Sequence, residues 1–296
     1  MCSKKRSKGK SETVHYCVCL MRRIFRHESN KGQRFKRVLA FAAWQVWKRT
    51  VHKPMAVTLF NGYRFRLYPD CEGSSSVVYF HIPDFREIRF LRSQIQGGVL
   101  IDIGADVGLF TLLLADRIKD AILFEPNGLA VDRARENLEL NRLAYEIHAT
   151  ALSERQGEIF LEDRGGVDTE NRTIRDPEDT PFPVRKVPCT TLDCVLSGRH
   201  VQPGCVTIIK IDVEGHELAV LKGMAWTLGY LRPKVVMFEY LQRTNLIEVR
   251  QWFERFGYHV YSLEEGGGLV EISDVVKPLQ NLFALYGKNH EARQLS

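Results

Sequence analysis

Two segments constrain this chain more than any other feature. Val99–Phe110 reads VLIDIGADVGLF, and Ile208–Gly223 reads IIKIDVEGHELAVLKG. Each is an apolar run of strand length that stops at an Asp and passes through Gly into a helix-period pattern. Two such strand-to-helix turns imply a parallel sheet with a ligand site outside the carboxyl ends of its strands. The chain between and beyond them keeps the same rhythm. Strands are expected at Val99–Ile103, Ala121–Glu125, Glu146–Leu152, Val206–Asp212 and Val235–Glu239. Helices are expected at Leu109–Arg117, Leu129–Asn141, Glu217–Leu228 and Ile247–Phe256. Tyr258–Leu263 and Leu282–Tyr286 read as a terminal antiparallel pair. The expected fold class is therefore α/β: a mostly parallel, Rossmann-like sheet with helices on both faces and a terminal antiparallel strand.

The chain divides into three stretches: a basic N-terminal extension over 1–53, a lead-in over 54–97 and the main domain over 98–290. Met1–Ser11 is rich in Lys and Ser and reads as disordered. Phe35–Arg49 has helical spacing, with Phe35, Val38, Leu39, Ala42 and Val46 on one face and Phe41, Trp44 and Trp47 widening the apolar arc. Such a helix packs on the domain or lies on an anionic membrane surface. Ala56–Leu67 reads as a hairpin turning at Asn61-Gly62, and Asp84–Leu91 as a helix leading into the sheet. Ser153–Pro188 is polar, with Gly165-Gly166 and four prolines. It is expected to be a loop-rich insertion with one hairpin strand at Glu158–Glu162, shaping the acceptor pocket.

Charge is uneven. Residues 1–53 hold fifteen Lys and Arg against two Glu, or +13; the whole chain is +6, so the remainder carries −7. The basic character belongs to the extension, and an acidic main domain argues against nucleic acid as partner. Contact of residues 1–53 with a membrane surface is the partner this pattern allows. The seven cysteines, Cys2, Cys17, Cys19, Cys71, Cys189, Cys194 and Cys205, show no zinc-type spacing, and no metal site is expected. They read as reduced thiols of a cytoplasmic protein, peripheral at the inner face of a membrane if the extension docks there. No run approaches the roughly 20 apolar residues of a membrane span.

The chemistry lies at the two turns. In Asp102-Ile103-Gly104-Ala105-Asp106-Val107-Gly108, Gly104 permits a tight turn, Gly108 allows the helix to pack closely on the sheet, and backbone N–H groups are expected to face the ligand. A dinucleotide turn has Gly where this chain has Asp106. An acidic group beside a pyrophosphate is unfavourable but suits a sulfonium or amino group, so the turn fits S-adenosylmethionine (SAM) better than NAD. Glu125 ends the next strand, where a carboxylate can accept from both ribose hydroxyls. Ala151 falls near the adenine edge by position. Around Lys210-Ile211-Asp212-Val213-Glu214-Gly215-His216-Glu217, three carboxylates gather at one turn. Asp212 is the expected base or organiser, with Glu214 and His216 as rivals for the proton. Helix N-terminal acids complementing the macrodipole are the structural alternative for Glu214 and Glu217. Glu239 is a further inward carboxylate candidate.

LIDIGADVGLF, FEPN, ATALS, TTLD, KIDVEGHELAVLKG and RPKVVMFE, in that order, resemble the FkbM family of SAM-dependent methyltransferases over about Leu100–Tyr286. Asp106 stands where the family's commonest first turn has Asn. The resemblance implies a class I methyltransferase fold, with Asp102, Gly104, Gly108 and Glu125 around SAM; Ala105 and Asp106, on the same turn, are further cofactor-binding candidates. The resemblance places Lys210–Glu217 beside the acceptor, a hydroxyl on a sugar or glycan or on a secondary-metabolite scaffold. The rival reading is a non-catalytic module of the same fold that docks to a membrane or partner through its basic extension.

Overall fold

A computed structural model describes residues 10–163, 173–174, 177–199, 201–241, 245–264, 266–272 and 281–287. The N-terminal region forms α1 (Lys10–Arg26), α2 (Arg34–Thr50) and a hairpin of β1 (Met55–Thr58) and β2 (Arg64–Leu67), followed by α3 (Glu72–Tyr79) and α4 (Phe85–Gln94). Alternation then begins: β3 (Val99–Ile103), α5 (Leu109–Leu114), β4 (Asp120–Phe124), α6 (Gly128–Glu139) and β5 (Tyr145–His148). An inserted layer follows, made of β6 (Ala151–Leu152), β7 (Gly157–Glu162), β8 (Thr173–Ile174) and β9 (Val184–Thr190). The alternation resumes with α7 (Leu192–Ser197), β10 (Val206–Ile211), α8 (Glu217–Lys222), β11 (Val235–Glu239) and α9 (Leu246–Glu254). The described chain closes with β12 (Tyr258–Leu263), β13 (Leu269–Glu271) and β14 (Asn281–Tyr286).

Among the described residues the main sheet has eight strands in the order β13-β12-β14-β11-β10-β3-β4-β5. β11, β10, β3, β4 and β5 are parallel, while β14, β12 and β13 add antiparallel pairs. The chain leaves β3 towards β4 on one side and returns as β10 on the other. The crevice at this switch point lies beyond Ile103 and Ile211, where the two sequence turns sit.

Period-two alternation along the strands feeds two cores. Leu100, Leu123, Ile208, Val235 and Met237 pack on one face, and Ile101, Ile122, Ile209, Val236 and Phe238 on the other. The first core also contains Ile24, Phe41 and Trp44, so the basic extension is packed against the sheet layer. Asn30 ties it down: its amide donates to the Ile24 and Tyr79 carbonyls, and its Oδ1 accepts from His81 N–H at 2.8 Å. The Trp44 indole donates to Ser75 Oγ at 3.0 Å. Burying aromatics of this size stabilises by about 1.5–3 kcal/mol each. On α2 the buried side is that of Phe41 and Trp44. The row Phe35, Leu39 and Val46, expected to share the packed arc, is 77%, 71% and 62% exposed.

Three local expectations change. Lys10 and Ser11 belong to α1; the rest of the Lys/Ser-rich start, 1–9, lies outside the described residues, as does Gly165-Gly166. The strand expected over Glu146–Leu152 breaks after His148, and Ala151–Leu152 pairs instead with Cys189–Thr190 of the inserted layer. The helix expected over Glu217–Leu228 stops at Lys222, and a π-helical segment follows at Thr227–Leu231. The break falls at Gly223, where a Cβ would stand 2.0 Å from the Ser153 carbonyl oxygen.

Candidate active site

The turn after β3 is bound into itself. Gly104 and Ala105 N–H both donate to the Phe124 carbonyl, at 2.9 and 3.2 Å, and Gly108 N–H donates to the Ala105 carbonyl at 2.8 Å. Asp106 N–H donates to Glu125 Oε2 at 3.0 Å, and Val107 N–H bonds the Asp106 carboxylate. The amides of Gly104 to Gly108, expected to face a ligand, are thus engaged inside the protein and not turned towards one. Gly104 has φ +74°, and a Cβ there would meet the Asp212 carbonyl oxygen at 1.8 Å, so the two ligand-side turns touch only because this residue has no side chain. Gly108 packs against Ala134 of α6 rather than on the sheet. Asp106 adopts φ 46°, a left-handed conformation that Asp and Asn tolerate best among residues with side chains.

Asp102 is fully buried and sits beside Lys210, whose Nζ lies 3.5 Å from Asp102 Oδ1 and 3.2 Å from Asp212 Oδ2. Lys210 also donates to the Gly104 carbonyl at 2.8 Å, and Thr111 Oγ1 donates to Asp102 Oδ2 at 2.7 Å. Burial opposes the lysine's charge, but the Asp212 and Asp102 carboxylates outweigh it and hold Lys210 above the usual lysine range. Burial pushes Asp102 up in turn, against the pull of Lys210. Lys210 therefore joins the buried base of the first turn to the half-exposed carboxylate of the second.

The other carboxylates are strained towards protonation. Burial pushes Asp106 up to about 6 and Glu125 up to about 7. Burial, then the charges of Asp212, Glu214 and Glu217, pushes Glu239 up to about 8, and its Oε2 is buried without a hydrogen-bond partner among the described residues. One oxygen from each of Asp212, Glu214 and Glu239 lies within 4.8 Å of the others, a spacing a divalent cation can bridge. At neutral pH the raised Glu239 keeps a proton, which relieves the repulsion.

Two cavities meet at this crevice. The smaller, about 120 Å³, is lined by Gly104, Asp106, Glu125, Ala151, Leu152, Ile159, Leu161, Thr173, Asp212, Glu214 and His216, among others. The larger, about 830 Å³, has Gly104, Ala105, Asp106, Phe110, Lys210 and Asp212 on its sheet side, with Asp84, Met237 and Asn281 nearby. The extension lines it too, through Arg23, Arg26, His27 and Glu28. Among the predicted residues, Gly104, Asp106 and Asp212 line both cavities. Ala105 lines only the larger one; Glu125, Ala151, Glu214 and His216 line only the smaller one. Asp102 and Gly108 lie behind the walls. His216 Nε2 is 2.9 Å from Ser153 Oγ, and burial lowers its pKa. Glu217 is buried and accepts from Gly215 N–H at 2.9 Å, the helix-terminal role. Ile159, Leu161 and Thr173 put the described part of the insertion over the smaller cavity, not the larger. Asp84 and Asn281 were not anticipated. Neither carries a local motif, and only the tertiary fold brings them here.

Residues 102–260, more than half of the chain, match the methyltransferase FkbM domain. The chain belongs to the FkbM methyltransferase family. Hexuronic acid methyltransferase AglP of Haloferax volcanii is 30% identical over 129 residues, covering 44% of this chain and 51% of AglP, so the chain spans about half of that curated relative. The crystal structure of methyltransferase FkbM from Methylobacillus flagellatus KT aligns over 84% of this chain and 59% of that one, with TM-score 0.42 and 15% identity. M. jannaschii TYW2 in complex with AdoMet aligns over 78% and 84%, with TM-score 0.40 and 14% identity.

The fold is that of a class I methyltransferase. The residues suit SAM as the methyl donor. Asp106, on the first turn, lines both cavities, which fits a cationic sulfonium. The Glu125 oxygens are fixed by Asp106 and Asn127 N–H, at 3.0 and 2.8 Å, on the wall of the smaller cavity. Ala151, Leu152, Ile159 and Leu161 give that cavity the apolar walls a purine needs. No helix among the described residues is long and apolar enough to cross a membrane.

Proposed function

We propose that this FkbM-family protein transfers the methyl group of SAM to a hydroxyl of a sugar or glycan. The observation that carries this reading is the position of Asp212, a half-exposed carboxylate shared by the smaller cavity, beside Glu125 and Ala151, and the larger one. AglP, a hexuronic acid methyltransferase, supports a sugar acceptor. When bound, SAM supplies an electrophilic methyl group. Glu125 would hold its ribose, Ala151 and Leu152 its adenine, and Asp106 its charged end. An alcohol attacks poorly until its proton leaves, and a carboxylate within hydrogen-bond reach removes it during the displacement. Asp212 takes that proton, while Lys210 orients it. Glu214 and His216, lining only the smaller cavity, are less well placed for it. Asp212→Asn is the test. Turnover is expected to fall about 10²–10⁴-fold with SAM affinity changed only a few-fold; full activity in the variant would remove Asp212 from this role.

The exposed row Phe35, Leu39 and Val46 beside Lys31 and Lys36 supports a second element, peripheral docking of the extension on an anionic membrane face. The chain should sediment with phosphatidylglycerol vesicles and not with phosphatidylcholine vesicles. Charging the row with Leu39→Glu should abolish this, and equal sedimentation with both lipids would contradict it.

A further inference from the structure

The larger cavity carries charges of both signs. Asp106, Lys210 and Asp212 line it from the strand-end turns, Asp84, Arg86 and Glu87 from the start of α4, and Arg23, Arg26 and Glu28 from the extension. The two arginines are three apart on α1 and so share a helix face. Arg86, also on the wall, is paired with Glu28 at 2.6 Å. Arg23 has only the Phe80 ring, 5.4 Å from its guanidinium carbon, and neither Arg23 nor Arg26 has a carboxylate partner among the described residues. The charge of Arg23 reaches into the site: it opposes protonation of His27 and favours ionisation of Asp84. Two unpaired guanidinium groups on a cavity wall are unneeded by SAM, whose reactive end is cationic, and by a neutral alcohol. Each is a planar fork matched to a carboxylate or phosphate.

We propose that the acceptor is an anionic sugar, bearing a carboxylate or phosphate, and that Arg23 and Arg26 of the N-terminal helix bind that group. This rests on the methyl-transfer reading above. The two arginines then set the acceptor's direction. Its anion is attracted to α1 and repelled by Asp84, Asp106 and Asp212, so the neutral hydroxyl end faces Asp212. The basic extension thereby acts as the recognition wall of the site, a task the main domain's own residues leave undone.

The experiment uses the full chain loaded with S-adenosylhomocysteine (SAH), titrated calorimetrically with glucuronate, glucose 1-phosphate and glucose. The wild type should bind glucuronate or glucose 1-phosphate at least about tenfold more tightly than glucose. The arm that binds better identifies the group as carboxylate or phosphate. Arg23→Gln/Arg26→Gln should erase this preference while leaving SAH affinity unchanged. Arg22→Gln/Lys31→Gln removes the same charge away from the cavity and should retain the preference. No anion preference in the wild type, including no binding of any of the three sugars, overturns the inference, as does a preference that survives in R23Q/R26Q or is lost equally in R22Q/K31Q. A chain that fails to bind SAH at the outset instead overturns the methyl-transfer reading beneath it.

Discussion

The two cavities at the crevice are built differently. The smaller has one wall fixed by backbone: one carbonyl, that of Phe124, receives two amides of the first turn, Glu125 is pinned by two more, and Gly104 presses against the Asp212 carbonyl. The larger is made by side chains from distant parts of the chain, from Arg23 to Asn281. A site formed by backbone geometry is rigid and tolerates little change. A site formed by side chains on separate elements can change its specificity without disturbing the fold. On the proposed reading, the adenosine end of the cofactor lies in the first and the acceptor in the second.

Substitutions can break or sharpen this contrast. The largest effect is expected at Gly104→Val, where a Cβ meets the Asp212 carbonyl and the positive φ is disfavoured together. Thermal unfolding should show a loss of about 4 kcal/mol or more, and SAM binding should disappear with it. A stable, SAM-binding variant would show that the two turns do not need their close approach. Asp212→Asn, at the junction, should separate the cavities: turnover collapses while the melting temperature and SAM affinity stay close to wild type. If SAM affinity collapsed too, Asp212 would belong to the cofactor side alone.

The smallest effect is electrostatic. Glu239 is raised to about 8, above the ordinary carboxylate value of 4.5. Between those values the native state binds more protons than the unfolded chain, so stability falls as pH rises through the window. Glu125 and Asp106, raised to about 7 and about 6, act in the same direction. Glu239→Gln does not titrate. Its melting temperature relative to wild type should therefore climb by about a few degrees between roughly pH 5 and pH 9. Parallel curves would place Glu239 in a wetter, less crowded setting than the carboxylate cluster implies.

This contrast also explains what the sequence could reveal. The acidic wall of the smaller cavity was legible because it lies on short motifs: Gly104 and Asp106 on one turn, Glu125 one strand later, Asp212, Glu214 and His216 on the other turn. The period-two and helical patterns placed the central strands and α5, α6 and α9 to within a few residues. The larger cavity was not legible, since nothing local marks Arg23 or Asp84 as neighbours of Asp212. Local propensity failed for α3, whose EGSSSVVY is poor in helix formers. Tertiary bonds support it, with Ser74 Oγ accepting from Tyr68 N–H and Ser75 Oγ from Trp44. The strand break after His148 was hidden for a related reason. Ala151 continues the apolar pattern of β5 but pairs with Cys189, far along the chain.

The most direct test is calorimetric titration of the full chain with SAM, SAH and NAD. Binding of SAM and SAH with no binding of NAD is the predicted result, because the Asp106 carboxylate lines the cavities where a pyrophosphate would lie. The preference for SAM over SAH should widen from about pH 5 to pH 7 as Asp106, raised to about 6, ionises beside the sulfonium. Binding of NAD, or of none of the three by the folded chain, would contradict the account at its centre.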